Sequence, residues 1–320
     1  MSQIIQDIQP ILACLRQGGI AAIPTETVYG LAGDATNTQA ISQIYAIKQR
    51  PLDHPLIMHI SKDTDIRQYA IDIPDYVDTL IKAFWPGPLT LVLRCNTALI
   101  NPLVTAGQNT IALRCPQHPL AQEILRNLPF PLVAPSANPF GKVSPTSAQH
   151  VQASFPQENL LILDGGRCPI GIESTIVLAT NSNGYRILRH GKVDSAHLST
   201  IIPALELPPQ TVGTLRVSGN LLTHYQPTKP LFYFTQLTEA ISFCNQHPST
   251  YVISAYPLST FNTDQGVTLP ADPKIWAYEL YNQLRCADLS KAKHILITLP
   301  PEAPDWQGTR ERIIKAGRYL

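Results

Sequence analysis

The 320-residue chain carries 44% hydrophobic and 15% charged residues, with a net charge of +1. That composition excludes a disordered chain, and the balanced charge disfavours a constitutive nucleic-acid binder while leaving room for a local basic cavity. The length exceeds one typical domain, so two domains with substantial cores are expected.

Six cysteines (Cys14, Cys95, Cys115, Cys168, Cys244 and Cys286) form no Cys-x-x-Cys pair. Neither a zinc ribbon nor a dithiol redox site is indicated, and buried reduced thiols are expected. The stretch Met1-Ser2-Gln3-Ile4-Ile5-Gln6-Asp7 has no basic region followed by a long apolar run. No apolar stretch approaches the ~20 residues of a bilayer span, so a cytoplasmic protein without membrane association is the expectation.

Along the chain, Ile11, Leu12 and Leu15, with Pro10 before them and Gly18-Gly19 after, predict a short amphipathic helix. Ile20–Ile23 follows as a strand and breaks into Pro24-Thr25-Glu26-Thr27-Val28-Tyr29-Gly30-Leu31, a turn rich in hydroxyls with one carboxylate. Ile41, Ile44, Tyr45 and Ile47 repeat at helical spacing and place Lys48 and Arg50 at the helix end or just beyond it. Residues two apart share no helical face, so these cations converge only if the helix has ended, as Pro51 implies. They read either as phosphate ligands, Arg50 having no evident packing duty, or as an ordinary solvated pair.

Strands are predicted at Leu56–Ile60, Leu89–Leu93, Thr110–Arg114, Leu132–Ala134, Leu160–Leu163, Thr175–Leu178 and Arg186–Leu188. Helices are predicted at Pro74–Phe84, Pro119–Leu128 and Ser147–Phe155, and the alternation argues for an α/β domain with a mixed twisted sheet. From Pro203 to Pro230 the sequence turns proline-rich and weakly periodic, a linker signature. Leu231–Phe234, Leu237–Cys244, Tyr251–Ser254, Ile275–Leu284, Ile295–Leu299 and a last helix ending near Leu320 then predict a small Rossmann-like domain. The expected division is 1–202, a linker over 203–230, and 231–320.

There is no Gly-x-x-x-x-Gly-Lys-Ser/Thr and no Gly-x-Gly-x-x-Gly, so any nucleotide is held without a common phosphate loop. Ser136 and Asn138 can present a hydroxyl and an amide on one side of an extended segment, or simply end a strand in a turn. Ser144 before Pro145 reads as a ligand or as a helix cap. Arg114 can clamp a carboxylate bidentately or sit on the surface, and His59 reads equally as a hydrogen-bonded strand histidine. No His/carboxylate spacing specifies a protein-built metal cage.

Pro24 to Leu31, Lys48-Gln49-Arg50-Pro51, Phe84-Trp85-Pro86-Gly87-Pro88-Leu89-Thr90, Ala134-Pro135-Ser136-Ala137-Asn138 and Glu173-Ser174-Thr175 occur in one order across the first two thirds of the chain. This series resembles that of the YrdC-like threonylcarbamoyl-AMP synthases in their long, two-domain form. The resemblance implies a YrdC-like twisted mixed sheet followed by a linker and a smaller Rossmann-like domain. It implies a nucleotidyltransferase that joins L-threonine, bicarbonate and ATP, releases pyrophosphate, and passes its product to the tRNA threonylcarbamoyl-transfer machinery acting on adenosine 37. The resemblance places Thr27, His59, Arg114 and Ser174 on L-threonine. It places Lys48, Arg50, His54, Thr110, Ser136, Asn138, Ser144, Arg189, His224 and Tyr225 on ATP, with Lys48 and Arg50 stabilising phosphates and no covalent nucleophile.

Mg²⁺ would arrive with ATP, and no stable nucleic-acid binding is expected. The segment Val217 to Pro227 resembles the family's inter-domain motif ending in His-Tyr-x-Pro, a lid over the site, although residues before His224 depart from it and Trp306-Gln307-Gly308-Thr309 also differs. Two competing readings remain. A carbamoyl transferase shares the YrdC-like domain but carries acylphosphatase-like and zinc-finger modules that are missing here. A non-catalytic RNA-binding or regulatory protein would use the same concave surface.

Overall fold

In the computed structural model, residues 2–202, 205–206, 215–217, 219 and 223–320 are described. Of the expected linker, 203–204, 207–214 (including Leu207-Pro208-Pro209), 218 and 220–222 lie outside them. Two units are present: residues 1–140, 145–169 and 173–220 form the first, and 141–144, 170–172 and 221–320 the second.

The first unit is built on β1 (Gln3–Ile5), β2 (Ala21–Ile23), β3 (Gly30–Asp34), β4 (Ile57–His59), β5 (Ala70–Ile71) and β6 (Leu89–Cys95). It continues with β7 (Thr110–Arg114), β8 (Leu132–Val133), β9 (Leu161–Leu163), β10 (Thr175–Asn181), β11 (Gly184–Arg189) and β12 (Leu205–Glu206). Its helices are α1 (Ile8–Arg16), α2 (Thr38–Lys48), α3 (Tyr76–Phe84), α4 (Pro102–Thr105), α5 (Pro119–Asn127), α6 (Ala148–Ser154) and α7 (Ser195–Ile201). The strands form one sheet in the order β1-β9-β2-β3-β8-β4-β7-β6-β10-β11-β12, with β5 on β6. β4 runs parallel to β7, β6 antiparallel to it, and β10 parallel to β6.

Two expectations need correction. The run after Leu31 does not pass straight into a helix: Gly30–Asp34 is the buried strand β3, paired with β2 and β8. Its small residues gave no β-branched signal because its neighbours come too close for larger ones. A Cβ on Gly33 would lie 3.0 Å from Ile44 Cδ1, and one on Gly30 would lie 3.0 Å from Ala134 Cβ.

Strand alternation sorts the central sheet into two unlike faces. Met58, Leu89, Leu91, Leu93, Ile111 and Leu113 face the main core, where they pack among residues of α2 and α3. The opposite face carries Ile57, Val92, Ile176 and Val217 as a small apolar cluster. In the same face His59 and Thr90 are each paired in register with Arg114. A sheet face that is half apolar and half ionic positions the site.

The second unit contains β13 (Leu231–Phe234), α8 (Leu237–Gln246), β14 (Thr250–Ser254), β15 (Gly266–Thr268), α9 (Pro273–Leu289), β16 (His294–Thr298), α10 (Gln307–Ala316) and β17 (Arg318–Tyr319). The five strands pair in parallel in the order β15-β14-β16-β13-β17. The last helix stops at Ala316 rather than near Leu320, and Gly317 lets the chain pass Leu231 to add β17 beside β13.

Leu113→Ala, at a fully buried position of the main core, is expected to cost about 2–5 kcal/mol in equilibrium denaturation. Leu52→Ala, at a position 61% exposed, should stay within about 0.5 kcal/mol of wild type in the same measurement.

Candidate active site

The C-terminal ends of the parallel strands β4 and β7 lie at the same edge as the N-terminal ends of β6 and β10. That register brings His59, Arg114 and Thr90 into one row, with Ser174 immediately ahead of β10. The Ser174 hydroxyl is 2.8 Å from Thr90 Oγ1. Arg189, closing β11, donates from Nε and Nη2 to the Ser174 carbonyl (3.1 and 2.9 Å) and from Nη2 to its hydroxyl (3.2 Å).

The turn after β2 supplies the second wall. Arg114 Nη2 donates to Glu26 Oε1 (2.7 Å) and to Thr27 Oγ1 (2.8 Å), all three residues being buried. Glu26 Oε2 accepts from the Gln117 N–H at 3.0 Å. Arg114 Nε is buried and has no hydrogen-bond partner among the described residues. A charged donor left unmatched inside a protein is costly, and an anionic ligand is the simplest group to match it.

His59 is also buried, and its Nδ1 lies 3.2 Å from the Ile57 carbonyl. A carbonyl only accepts, so Nδ1 carries the proton and Nε2 offers a lone pair. Burial, reinforced by the charge of Arg114, pushes the imidazole down to about 3, so the ring is neutral at physiological pH.

Ser136 lies four positions beyond Leu132, which is opposite His59, a distance of about 13 Å at strand rise. Gly30 bridges to Ser136 while Thr27 reaches Arg114, so residues 27–30 cross the sheet face between two polar regions. At the second region, α2 ends with Gln49 in the left-handed conformation (φ 52°), which turns Lys48 and Arg50 in different directions. Neither cation is a solvated surface charge. Lys48 Nζ donates to the carbonyls of Ser136 (2.5 Å) and Asn138 (2.6 Å). Burial and then the charge of Arg50 hold its pKa well below the usual lysine value.

Arg50, expected to be without packing duty, is buried as well. It donates to the carbonyls of His54 (3.1 Å) and Pro55 (2.7 Å) and lies 5.5 Å from the Phe140 ring centroid. His54 meets the edge of the same ring at 5.1 Å, with its Nδ1 2.9 Å from Asp53 Oδ1. Asn138 is buried and donates from Nδ2 to the Pro139 carbonyl, and Thr110 is half-buried at the start of β7.

Among the expected site residues, Thr27, His59, Arg114, Ser174 and Arg189 therefore share one neighbourhood, and Lys48, Ser136 and Asn138 another, with Arg50 and His54 gathered around Phe140. Ser144, His224 and Tyr225 belong to the second unit. Ser144 is fully buried and does not cap α6, whose cap is Ser147, accepting from the His150 N–H. The His224 and Tyr225 ring centroids lie 4.1 Å apart. Tyr225 has φ 62°, stacks on Tyr281 at 5.8 Å and has Arg312 5.2 Å over its ring.

The sequence reading passed over Glu26 and Thr90. A carboxylate between two threonines was a visible signal for Glu26, whereas Thr90 needed the β6–β7 register. Among the described residues, no three His, Cys, Asp or Glu side chains are placed to hold a metal ion, and no helix is long and apolar enough to cross a membrane.

Fold and site together define a two-part α/β protein with a substrate site on a sheet face. A family model described as Telomere recombination (Sua5/YciO/YrdC) matches residues 13–191, and one described as Threonylcarbamoyl-AMP synthase, C-terminal domain, matches residues 193–317. The chain belongs to the Sua5 family of threonylcarbamoyl-AMP synthases. The threonylcarbamoyl-AMP synthase of Bacillus subtilis (strain 168) is 41% identical over 325 residues, which cover 96% of this chain and 92% of that one. The crystal structure of P. abyssi Sua5 complexed with L-threonine matches with a TM-score of 0.87 at 28% identity, over 99% of each chain. E. coli YciO shares the fold alone, with a TM-score of 0.52 at 21% identity over 60% of this chain and 96% of its own.

The unfolded His59 imidazole titrates near 6.5 and the folded one near 3. Its burial therefore contributes full stability above about pH 6.5 and loses it as pH falls toward 3, by up to about 1.4 kcal/mol per pH unit. His59→Gln should flatten that part of the stability–pH curve measured by urea unfolding, and an unchanged slope would contradict the neutral buried ring. Arg50→Ala, which strands two carbonyls and removes a ring contact, should lower the thermal midpoint by several degrees, about 1–3 kcal/mol.

Proposed function

We propose that this chain joins L-threonine, bicarbonate and ATP into threonylcarbamoyl-AMP, releasing pyrophosphate, for the threonylcarbamoyl modification of adenosine 37 in tRNAs. The single observation that carries the reading is the buried Arg114, whose Nε lacks a partner in a row with the neutral His59. An amino acid offers a carboxylate for the guanidinium and N–H or O–H groups for the His59 lone pair, so one zwitterion answers both. Family membership supplies the rest, and the threonine bound to P. abyssi Sua5 agrees with that assignment.

The threonine amine and bicarbonate form a carbamate with loss of water. A carbamate oxygen then attacks the α-phosphorus, the bond to the β-phosphate bridge breaks, and pyrophosphate leaves with the electron pair. Such a step depends on positioning and charge neutralisation and needs no side-chain nucleophile. Thr27, Arg114 and Ser174 orient the amino acid in this reading. Lys48, Ser136 and Asn138 form the nucleotide end, with Arg50, His54 and Thr110 supporting it, while Arg189, which the family resemblance puts on ATP, is bonded to Ser174 at the amino-acid end.

Phosphate near Lys48 would favour its ammonium and offset the burial that depresses its pKa. Mg²⁺ would enter bound to the nucleotide's own phosphates. The product passes to the tRNA-modifying machinery. Carbamoyl transfer is the weaker alternative, because the C-terminal family model matched is that of the synthases.

Pyrophosphate release from ATP is expected to require both L-threonine and bicarbonate, and release independent of threonine would refute this assignment. In the same assay Arg114→Ala should raise the half-saturating threonine concentration by at least about tenfold, in line with ~1.5–3 kcal/mol for a charge-assisted contact. The half-saturating ATP concentration should change far less.

A further inference from the structure

We propose that Glu26 is a positioning residue for threonine: it fixes the orientation in which the Arg114 guanidinium presents its Nε–H to the substrate. The inference rests on the reading of Arg114 as the carboxylate anchor.

Hydrogen-bond direction around the turn is fully determined. The Thr25 hydroxyl lies 2.6 Å from the Val28 carbonyl, which can only accept, so Thr25 donates there. Thr27 Oγ1, 2.9 Å from Thr25 Oγ1, must then be the donor of that pair. Toward Arg114 the Thr27 oxygen accepts. Arg114 Nη2 thus spends one proton on Thr27 and the other on Glu26, leaving the buried Nε–H for a ligand.

A single neutral hydroxyl supplies no counter-charge to a buried guanidinium. Glu26 does, and both of its oxygens are engaged: Oε1 on Arg114 and Oε2 on the Gln117 N–H. Gln117 lies three positions beyond Arg114 in the chain. The carboxylate therefore ties the end of β7 to the segment that follows it, and the arginine rotamer is set by backbone. The two charges are equally buried, with side chains 5% exposed at 2.7 Å separation, so neither reorients through water.

The test uses full-length protein and pyrophosphate release at varied L-threonine and varied ATP. Glu26→Gln keeps the size of the side chain but sets an amide against the Gln117 N–H, and should raise half-saturating threonine by about tenfold with ATP saturation within about twofold. Glu26→Asp, which keeps the charge, should show a smaller rise. In an Arg114→Ala background Glu26→Gln should add less than about twofold, because it acts through an arginine no longer there.

Multiplying effects in that double variant, or equal shifts for both substrates, would make Glu26 a purely structural residue and overturn the proposal. If Glu26→Gln does not fold, Glu26→Asp carries the test, and a wild-type threonine constant in it overturns the proposal equally. A wild-type enzyme that ignores threonine, or an Arg114→Ala variant with unaltered threonine saturation, would refute the underlying reading instead.

Discussion

A guanidinium buried on the face of a β-sheet is tolerable only where its charge is matched by a counter-ion. Arg114 meets that condition through Glu26, with Thr27 beside it, and much of the first unit's layout follows from it. The turn after β2 must cross the sheet face to bring Glu26 and Thr27 over β7. Crossing there, it separates the row of His59, Thr90 and Ser174 from the region of Ser136 and Lys48. The same arginine helps to keep His59 neutral, since a second cation in that row would face it without compensation.

The nucleotide end obeys a related constraint by different means. Among the described residues no carboxylate is bonded to Lys48, whose ammonium instead rests on two backbone carbonyls, and Arg50 also donates to carbonyls and lies by an aromatic face. Backbone carbonyls solvate a cation without supplying a counter-charge, so a polyphosphate bound there would favour the Lys48 ammonium that burial disfavours. A carboxylate in place of those carbonyls would have satisfied the lysine and removed its attraction for phosphate. The two ends thus differ in kind: one holds a matched ion pair beside an unpartnered Nε–H, the other a lysine resting on backbone carbonyls.

Much of this was legible in the sequence where periodicity and local chemistry agree. Thr110–Arg114 shows period-two alternation, and Ile41, Ile44 and Tyr45 mark the buried stripe of α2 whose end carries Lys48. β3 was not legible, because Gly30 and Gly33 are selected by the closeness of Ala134 and Ile44, a tertiary demand with no local signature. The burial of Lys48 and Arg50 was hidden for the same reason. A Lys-x-Arg pair after a helix looks solvated until the 136–138 segment, some ninety positions onward, is known to supply its acceptors. Glu26 lay in plain view between two threonines, but its partner is 88 positions away.

Threonine recognition and nucleotide chemistry place different demands on the site. The amino-acid end is over-determined, since Thr90, Ser174, Arg189, Arg114, Thr27 and Glu26 each engage at least one other member of the group. Such a network costs little reorganisation when a small zwitterion binds, and so favours discrimination between similar amino acids. At the nucleotide end the Lys48 ammonium rests on the carbonyls of Ser136 and Asn138, which supply no counter-charge. Interactions that are stronger with the transition state than with the ground state are the ones that speed a reaction, so a cation answered only by carbonyls suits the charge that gathers on the phosphates as the carbamate oxygen meets the α-phosphorus.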